Sequence, residues 1–414
     1  SSQVKRGIEK MNFQTPSPVQ KVAIQPILDF QDVFIQAPTG TGKTAAFGVP
    51  IIENLITDNN QIQAVVLCPT RELAIQTTEV LKKISMYKEG VRILAIYGGQ
   101  PIANQIKSLK RRPQIIVATP GRLIDHITRR TTRLDQVKHI ILDEADSMLD
   151  MGFREDIEKI LEAVPANRQT VFLSATIPPE IKKIATSYQH NAQHIVVKAD
   201  SVTTNQIEQY SVEVKGNKKT TALLALMKEK KFKRSLVFVE TKAMAKTLVK
   251  QLAQAGHIVD GLHGDLKQSQ RNVVMQGYRR GRTKILVATD VAARGIDVSD
   301  IEAVVNYDMP RDVNSYIHRI GRTGRANQEG AAYTLVLPRE RNRLQDVMKS
   351  TKARILPFQL ENIAFETDKL NSTDDKVFKE KQRKKDAFKT ENRRKYYKTK
   401  GDRKKDTNKR YLSA

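Results

Sequence analysis

The chain has no tryptophan and a single cysteine among its 414 residues, and aromatic side chains make up only 6% of it. One cysteine, Cys68, excludes an internal disulfide and a cysteine-based zinc site. It stands in the apolar run AVVLCP (64–69), which predicts a small buried core residue rather than a reactive thiol. The seven histidines show no metal-ligand spacing. No run approaches the roughly eighteen consecutive apolar residues that a membrane span requires. The first residues also lack the basic, apolar, small-residue order of a secretory signal. Together these absences argue against a secreted or membrane-embedded chain and fit a reducing cytoplasm.

What the chain has in excess is positive charge, +26 in all. Such an excess favours polyanions, nucleic acid being the commonest and an anionic membrane surface the alternative. The charge is uneven: residues 376–414 hold 17 Lys/Arg against 5 Asp/Glu, a surplus of 12, whereas residues 339–375 balance seven against seven. Apolar periodicity stops near residue 365, so residues 366–414 are expected to be a basic disordered tail. Phe388, Tyr396, Tyr397 and Tyr411 lie among its basic residues, so the tail is expected to tether nucleic acid electrostatically and to stack a few bases, the bland alternative being a solvated tail that aids solubility.

Upstream of the tail, short apolar runs alternate with helix-length amphipathic segments. VFIQA (33–37), AVVLCP (64–69), RILAIYG (92–98), QIIVATP (114–120), HIILDEAD (139–146), TVFLSAT (170–176) and HIVVK (194–198) form one series. SLVFVE (235–240), IVDGLHG (258–264), KILVATD (284–290), AVVNYD (303–308) and AAYTLV (331–336) form a second. Apolar runs with little polar alternation are strands buried on both faces, and their alternation with helices predicts parallel, doubly wound sheets. Two series predict two α/β domains, over residues 1–198 and 207–365, joined by a polar linker at 199–206.

APTGTGKT (37–44) follows a strand run and precedes a helical pattern, the context that a phosphate-binding loop requires. Gly40 and Gly42 let backbone N–H groups turn inward around phosphate oxygens, and the helix N-terminus adds a favourable dipole. Lys43 reaches the β- and γ-phosphates of ATP, and Thr44 ligates Mg²⁺. The strict pattern has glycine at position 37, where this chain has the equally small Ala37. Thr39 and Thr41 complete the loop. HIILDEAD (139–146) supplies the metal-side carboxylates: Asp143 to hold Mg²⁺ through water and Glu144 to polarise the attacking water. Taken alone, that acidic cluster would read as a helix N-cap. HRIGRTGR (318–325) sets Arg322 and Arg325 three residues apart, so that both point at one polyphosphate. Because they lie in the second domain, the ATP site is expected to close only when the two domains meet. A solvated basic turn is the bland alternative.

In this order and spacing, over about residues 10–350, the chain resembles a DEAD-box RNA helicase, a superfamily 2 ATPase with two RecA-like domains, and its motif phrasing is similar to bacterial members. NFQTPSPVQ (12–20) resembles the family's adenine-reading motif, which implies Gln20 as base reader and places Phe13 with the cofactor site. Asn12 stands where glycine is usual, and the customary upstream aromatic would precede residue 1, departures that predict weaker adenine affinity. The resemblance further assigns Asp297 to the ribose, Arg322 and Arg325 to the γ-phosphate, and His318 and Arg319 to bonds across the closed interface. Asp146, Ser174, Thr176 and Arg319 are implied to couple ATP state to RNA remodelling. PTRELA (69–74), Gly98-Gly99, TPGR (119–122), VFVET (237–241), HGD (263–265), QSQR (268–271) and ATDVAARGID (288–297) match the RNA-facing motifs. They imply Arg71, Gly99, Thr119, Gly121, Arg122, Thr241, Gly264, Arg271, Thr289 and Arg294 as contacts to the RNA backbone.

Amides, threonine hydroxyls and arginines bind phosphate and sugar rather than base edges, so little sequence preference is expected. The 2′-hydroxyl offers a way to tell RNA from DNA. Three readings follow: an RNA-dependent ATPase that opens short duplexes, a DNA helicase or translocase, and an ATP-gated RNA clamp. Ribosomal or mRNA-decay complexes are the candidate settings, no membrane is implied, and the oligomeric state is silent.

Overall fold

The computed structural model describes residues 1–38, 40–197, 207–216, 218–293, 298, 300–324, 329–351 and 353–360. Thr39, Arg294, Asp297, Arg325, the linker at 199–206 and the tail at 366–414 lie outside the described residues.

The first sheet contains β1 (Val33–Gln36), β2 (Ala64–Leu67), β3 (Ile93–Ile96), β4 (Ile115–Ala118), β5 (His139–Leu142), β6 (Gln169–Ser174) and β7 (Gln193–Val196). They run parallel in the order β3-β4-β2-β5-β6-β1-β7. Side chains alternate across the pleat, so each strand feeds two cores. Ala64 and Val66 pack on one face, Val65 and Leu67 on the other. Covering both faces with helices is what permits runs such as AVVL and IIVA to be buried throughout. Cys68 is fully buried, and burial pushes its thiol up, with Asp143 adding to the effect, as an inert core residue requires.

The second sheet contains β8 (Ile207–Glu213), β9 (Ser235–Val239), β10 (Val259–Leu262), β11 (Ile285–Thr289), β12 (Ala303–Asn306), β13 (Gly330–Val336) and β14 (Ile355–Pro357). Its order, β10-β11-β9-β12-β13-β8-β14, is again parallel throughout. These are two tandem RecA-like domains. Among the described residues, no helix is long and apolar enough to cross a membrane.

Two glycines fix how the first domain's helices stack. The helix Ser2–Lys10 and the helix Lys43–Asn54 both press on the helix Arg71–Ile84. A Cβ on Gly7 would lie 2.2 Å from the Ile84 carbonyl oxygen, and one on Gly48 would lie 2.6 Å from Leu81 Cδ2. A larger residue at Gly7 would push backbone against backbone and force those two helices apart, whereas one at Gly48 would require Leu81 to repack.

His139 opens β5 and is buried against Phe30, with ring centroids 4.8 Å apart. Gln169 Nε2 donates to the Ile27 and Gln31 carbonyls, so Gln169 Oε1 accepts from His139 Nδ1–H at 2.7 Å. Protonating the remaining nitrogen would charge an apolar stack, and burial holds this imidazole at about 4 against an ordinary 6.5. The folded pKa lies below the unfolded one, so the unfolded chain binds more protons between these values. The stability contributed is complete above 6.5 and disappears as pH falls through about 4. The full loss is on the order of 3 kcal/mol. Urea midpoints measured at neutral and mildly acid pH are expected to fall less steeply for His139→Asn than for the wild type. Parallel slopes would refute this account.

Candidate active site between the two domains

The catalytic motifs share one edge. In a parallel sheet all carboxyl ends point the same way, and ligands bind there. The phosphate loop follows β1, the acidic pair follows β5, and the SAT segment follows β6, which lies between them. Gly40 and Gly42 adopt φ of 81° and 88°, the left-handed region that favours glycine. Gly42 caps the helix Lys43–Asn54, whose first N–H groups face the loop. The Lys43 ammonium donates to the Ala37 carbonyl at 2.8 Å, and Thr41 Oγ1 donates to the Pro38 carbonyl at 2.9 Å. Ala37 itself is fully buried and offers only its backbone to a ligand.

Gln20 sits against this loop. Its Oε1 accepts from the Ser17 amide at 2.9 Å and its Nε2 donates to the Gly42 carbonyl at 3.2 Å. A Cβ on Gly42 would lie 2.5 Å from that nitrogen, so loop and Gln20 fit only with glycine there. The amide keeps one hydrogen and one lone pair for a base edge. Phe13, 42% exposed, presents a free ring on the same segment.

Asp143 is buried at the end of β5, and its backbone N–H bonds to Leu67. Burial pushes its carboxyl up to about 7, with the Lys43 ammonium opposing and Glu144 adding. Glu144 caps the short helix Ala145–Asp150 with φ 51° and ψ 52°. A left-handed backbone at a residue with a side chain costs about 1–2 kcal/mol. Such strain persists where the surroundings over-determine it, as they do around functional groups. Asp146 Oδ2 accepts from both the N–H and the hydroxyl of Thr176 at 2.9 Å, and Oδ1 accepts from the Ser147 N–H at 3.0 Å. Ser174 Oγ donates to the Thr176 carbonyl at 2.5 Å. The three coupling residues expected in the first domain are therefore one hydrogen-bonded group.

The second domain completes the cleft. Lys43, Glu144, Asp146, Ser147 and Ala175 line it together with His318 and Arg322, which come from the helix Val313–Ile320 and the turn after it. Arg319 departs from expectation. Its guanidinium is 2% exposed and grips Asp290 at 2.5 and 2.7 Å, with a further bond to the Asp308 carbonyl at 2.7 Å. Those bonds all lie within the second domain. A guanidinium so enclosed cannot reach across, and it instead anchors the helix that carries His318 and Arg322.

Beyond β5, the carboxyl ends of β2, β4 and β3 carry the other set of motifs. Arg71 lies over the Gly98-Gly99 backbone, and a Cβ on Gly99 would sit 2.1 Å from its Nη1. Thr119 caps the helix Pro120–Thr128; Arg122 Nη1 donates to the Gln100 carbonyl at 3.1 Å and to Gln105 Oε1 at 3.3 Å. Gly121 is exposed, and a Cβ there would meet Asp156 at 3.4 Å. In the second domain Thr241 accepts a capping bond from Met244 N–H, which leaves its hydroxyl proton free to donate. Gly264 faces open space, and Thr289 ends β11 half-buried.

Two contacts join these edges. Arg71 Nη1 donates to Gln268 Oε1 at 2.7 Å, and Arg271 Nε donates to Glu72 Oε1 at 2.9 Å. Glu72, Gln268 and Asp290 were not singled out from sequence, although all three stand inside quoted motifs. No local pattern marked them, because the groups they bond to across the fold are distant in sequence.

Two RecA-like domains sharing one phosphate cleft define a nucleotide-driven helicase core. Residues 17–184 match the DEAD/DEAH box helicase family and residues 218–327 the helicase conserved C-terminal domain, and the chain belongs to the DEAD-box helicases. It is 47% identical over 354 residues to the ATP-dependent RNA helicase CshA of Listeria monocytogenes, covering 86% of this chain and 68% of that one. To the DEAD-box ATP-dependent RNA helicase CshA of Bacillus subtilis it is 46% identical over 355 residues, covering 86% and 72%. Saccharomyces cerevisiae Dbp5 bound to RNA and ADP BeF3 superimposes with a TM-score of 0.78 at 32% identity, covering 86% of this chain and 94% of that one. A DEAD box protein from Methanococcus jannaschii reaches only 0.51 at 41% identity, covering 87% and 97%. The more divergent sequence superimposes better over a similar share of this chain.

Proposed function

We propose that this chain is an ATP-dependent RNA helicase in which ATP hydrolysis between the domains opens short duplexes or remodels ribonucleoproteins, with little sequence preference. The supporting observation is the single cleft lined by Lys43 and Glu144 from one domain and His318 and Arg322 from the other. A site assembled from two bodies responds to whatever brings them together, and RNA spanning both motif edges would do so.

In this reading the loop amides and Lys43 hold the phosphates, Phe13 and Gln20 face the adenine, Glu144 orients the attacking water, and Arg322 neutralises charge on the γ-phosphate. Thr44 and Asp143 supply the hard oxygen donors that suit Mg²⁺, which is commonly held by one or two protein groups and the nucleotide's own phosphates. When bound, the ion would offset phosphate charge. The Asp146–Thr176 bonds join the acidic motif to the SAT segment, as a relay of ATP state requires. We place this activity in the cytoplasm, where ribosome assembly and mRNA decay both present short duplexes. Sequencing RNA crosslinked to the protein in cells would separate those two settings.

ATPase rates measured with single-stranded RNA and DNA of one sequence test the assignment. RNA is expected to stimulate and DNA not to, and stimulation by DNA alone would reverse it. Duplex release that needs ATP binding but proceeds fully with a non-hydrolysable analogue would favour an ATP-gated clamp.

A further inference from the structure

The opposite, amino-terminal edge of the first sheet carries a second basic surface that none of the motifs uses. Besides Arg122 of the TPGR motif, residues 107–138 hold eight Lys/Arg against two Asp/Glu. The helices Ile102–Leu109 and Pro120–Thr128 both begin at the carboxyl edge beside the RNA-facing motifs and both end at the amino edge. Gln105 ties them together, its Oε1 receiving Arg122 Nη1 at 3.3 Å and lying 3.0 Å from His126 Nε2. Where they end, Arg112 and Arg133 line an open cavity of about 290 Å³ that also holds Asp135, and Lys110, Arg111, Arg129 and Arg130 adjoin its walls in sequence. Arg112, Arg133, Asn60 and Thr132 are among its walls, and the Thr132 hydroxyl has no hydrogen-bond partner there.

Helix dipoles account for a basic residue in each last turn. They do not account for the rest. Arg112 and Arg130 both occupy the left-handed region, at φ 52° and 53°, where glycine or asparagine would sit without strain. Among the described residues Lys110, Arg111, Arg112 and Arg130 form no ion pair with a carboxylate, and Arg133 reaches the exposed Asp135 at 3.4 Å. Unneutralised charge at strained positions, Arg112 in the cavity wall and Arg130 adjoining it in sequence, is suited to an anionic ligand. The helices between the two edges are only eight and nine residues long, about 12–14 Å.

We propose that this surface binds the phosphodiester backbone of RNA flanking the segment held at the motif edge, with one nucleotide seated in the cavity. RNA leaving the carboxyl edge runs along the paired helices, and its phosphates meet the arginines at their ends. The proposal rests on the RNA-binding reading above and adds a second contact to it.

The test uses the full chain, so that any contribution of the basic tail is common to every protein compared. Arg112→Gln/Arg130→Gln/Arg133→Gln is measured against the wild type with a non-hydrolysable ATP analogue at two salt concentrations. One RNA just fills the motif edge and another is several times longer. Affinity for the long RNA is expected to fall about tenfold and its salt slope to shrink by about 2, while the short RNA binds unchanged. Unchanged long-RNA affinity and slope would overturn the proposal. If the wild type bound neither RNA, the functional reading itself would fail. Should the triple variant fold poorly, Arg133→Gln alone, whose side chain is 87% exposed, is expected to give about a third of the loss in salt slope, and no change there is equally decisive.

Discussion

Glu144→Gln is expected to slow ATP turnover by about 10²–10⁴-fold while ATP and RNA binding persist. The substitution keeps the side chain's shape and removes only its capacity to accept a proton. Glu144 lines the cleft with Lys43 and Arg322, and its left-handed backbone directs it there from the end of β5. Lys43, the loop amides and Gln20 are untouched, so the nucleotide should still be held. The residues proposed to face RNA lie on other strand ends, so RNA should still be bound. Single-turnover hydrolysis and RNA binding measured on the same preparation check both halves. Near-normal hydrolysis would remove Glu144 from the chemistry.

The second large effect is expected at the bridge between the domains. Glu72 and Arg271 are 2.9 Å apart, with side chains 9% and 11% exposed. Breaking such a pair by removing one partner costs about 3–5 kcal/mol, because the other charge stays buried and alone. Separating the domains lets water reach both groups, so the cost falls on the closed arrangement. Glu72→Gln is therefore expected to raise the RNA concentration for half-maximal ATPase stimulation by roughly 10²-fold. Affinity for ATP in the absence of RNA should barely move. Arg271→Leu in the Glu72→Gln background should cost much less than the two changes summed, since no buried charge is then left unpaired. Equal half-stimulation for Glu72→Gln and wild type would show that the bridge does not hold the domains together.

Most of the sheet architecture was legible because buried parallel strands are written as apolar runs. Twelve of the fourteen strands announce themselves in this way. β8 and β14 do not. IEQYSVE mixes buried, half-buried and exposed positions and reads as part of an amphipathic segment, and ILP is a three-residue edge strand with one buried position. The ATP site was legible for a related reason: its groups are tied to local backbone patterns, a strand followed by a glycine loop or an acidic pair. Arg319 was not, because its role depends on Asp290, 29 residues away in sequence and adjacent only after β11 and the helix Val313–Ile320 have packed. Glu72 was hidden for the same reason, with its partner 199 residues away.

The glycines that seat the helix Arg71–Ile84 bear on how force passes through the molecule. One end of that helix is pinned by the contacts of Gly7 and Gly48, and the other end carries Arg71 and Glu72 to the second domain. Gly48 belongs to the same helix that begins at Lys43. With no side chain at Gly48, the phosphate-loop helix packs directly on the Leu81 and Ile84 side chains, so a shift of one helix along its axis bears on the other. The helix Arg71–Ile84, about 20 Å long, thus runs from its packing against the phosphate-loop helix to the Arg71 and Glu72 contacts with the second domain.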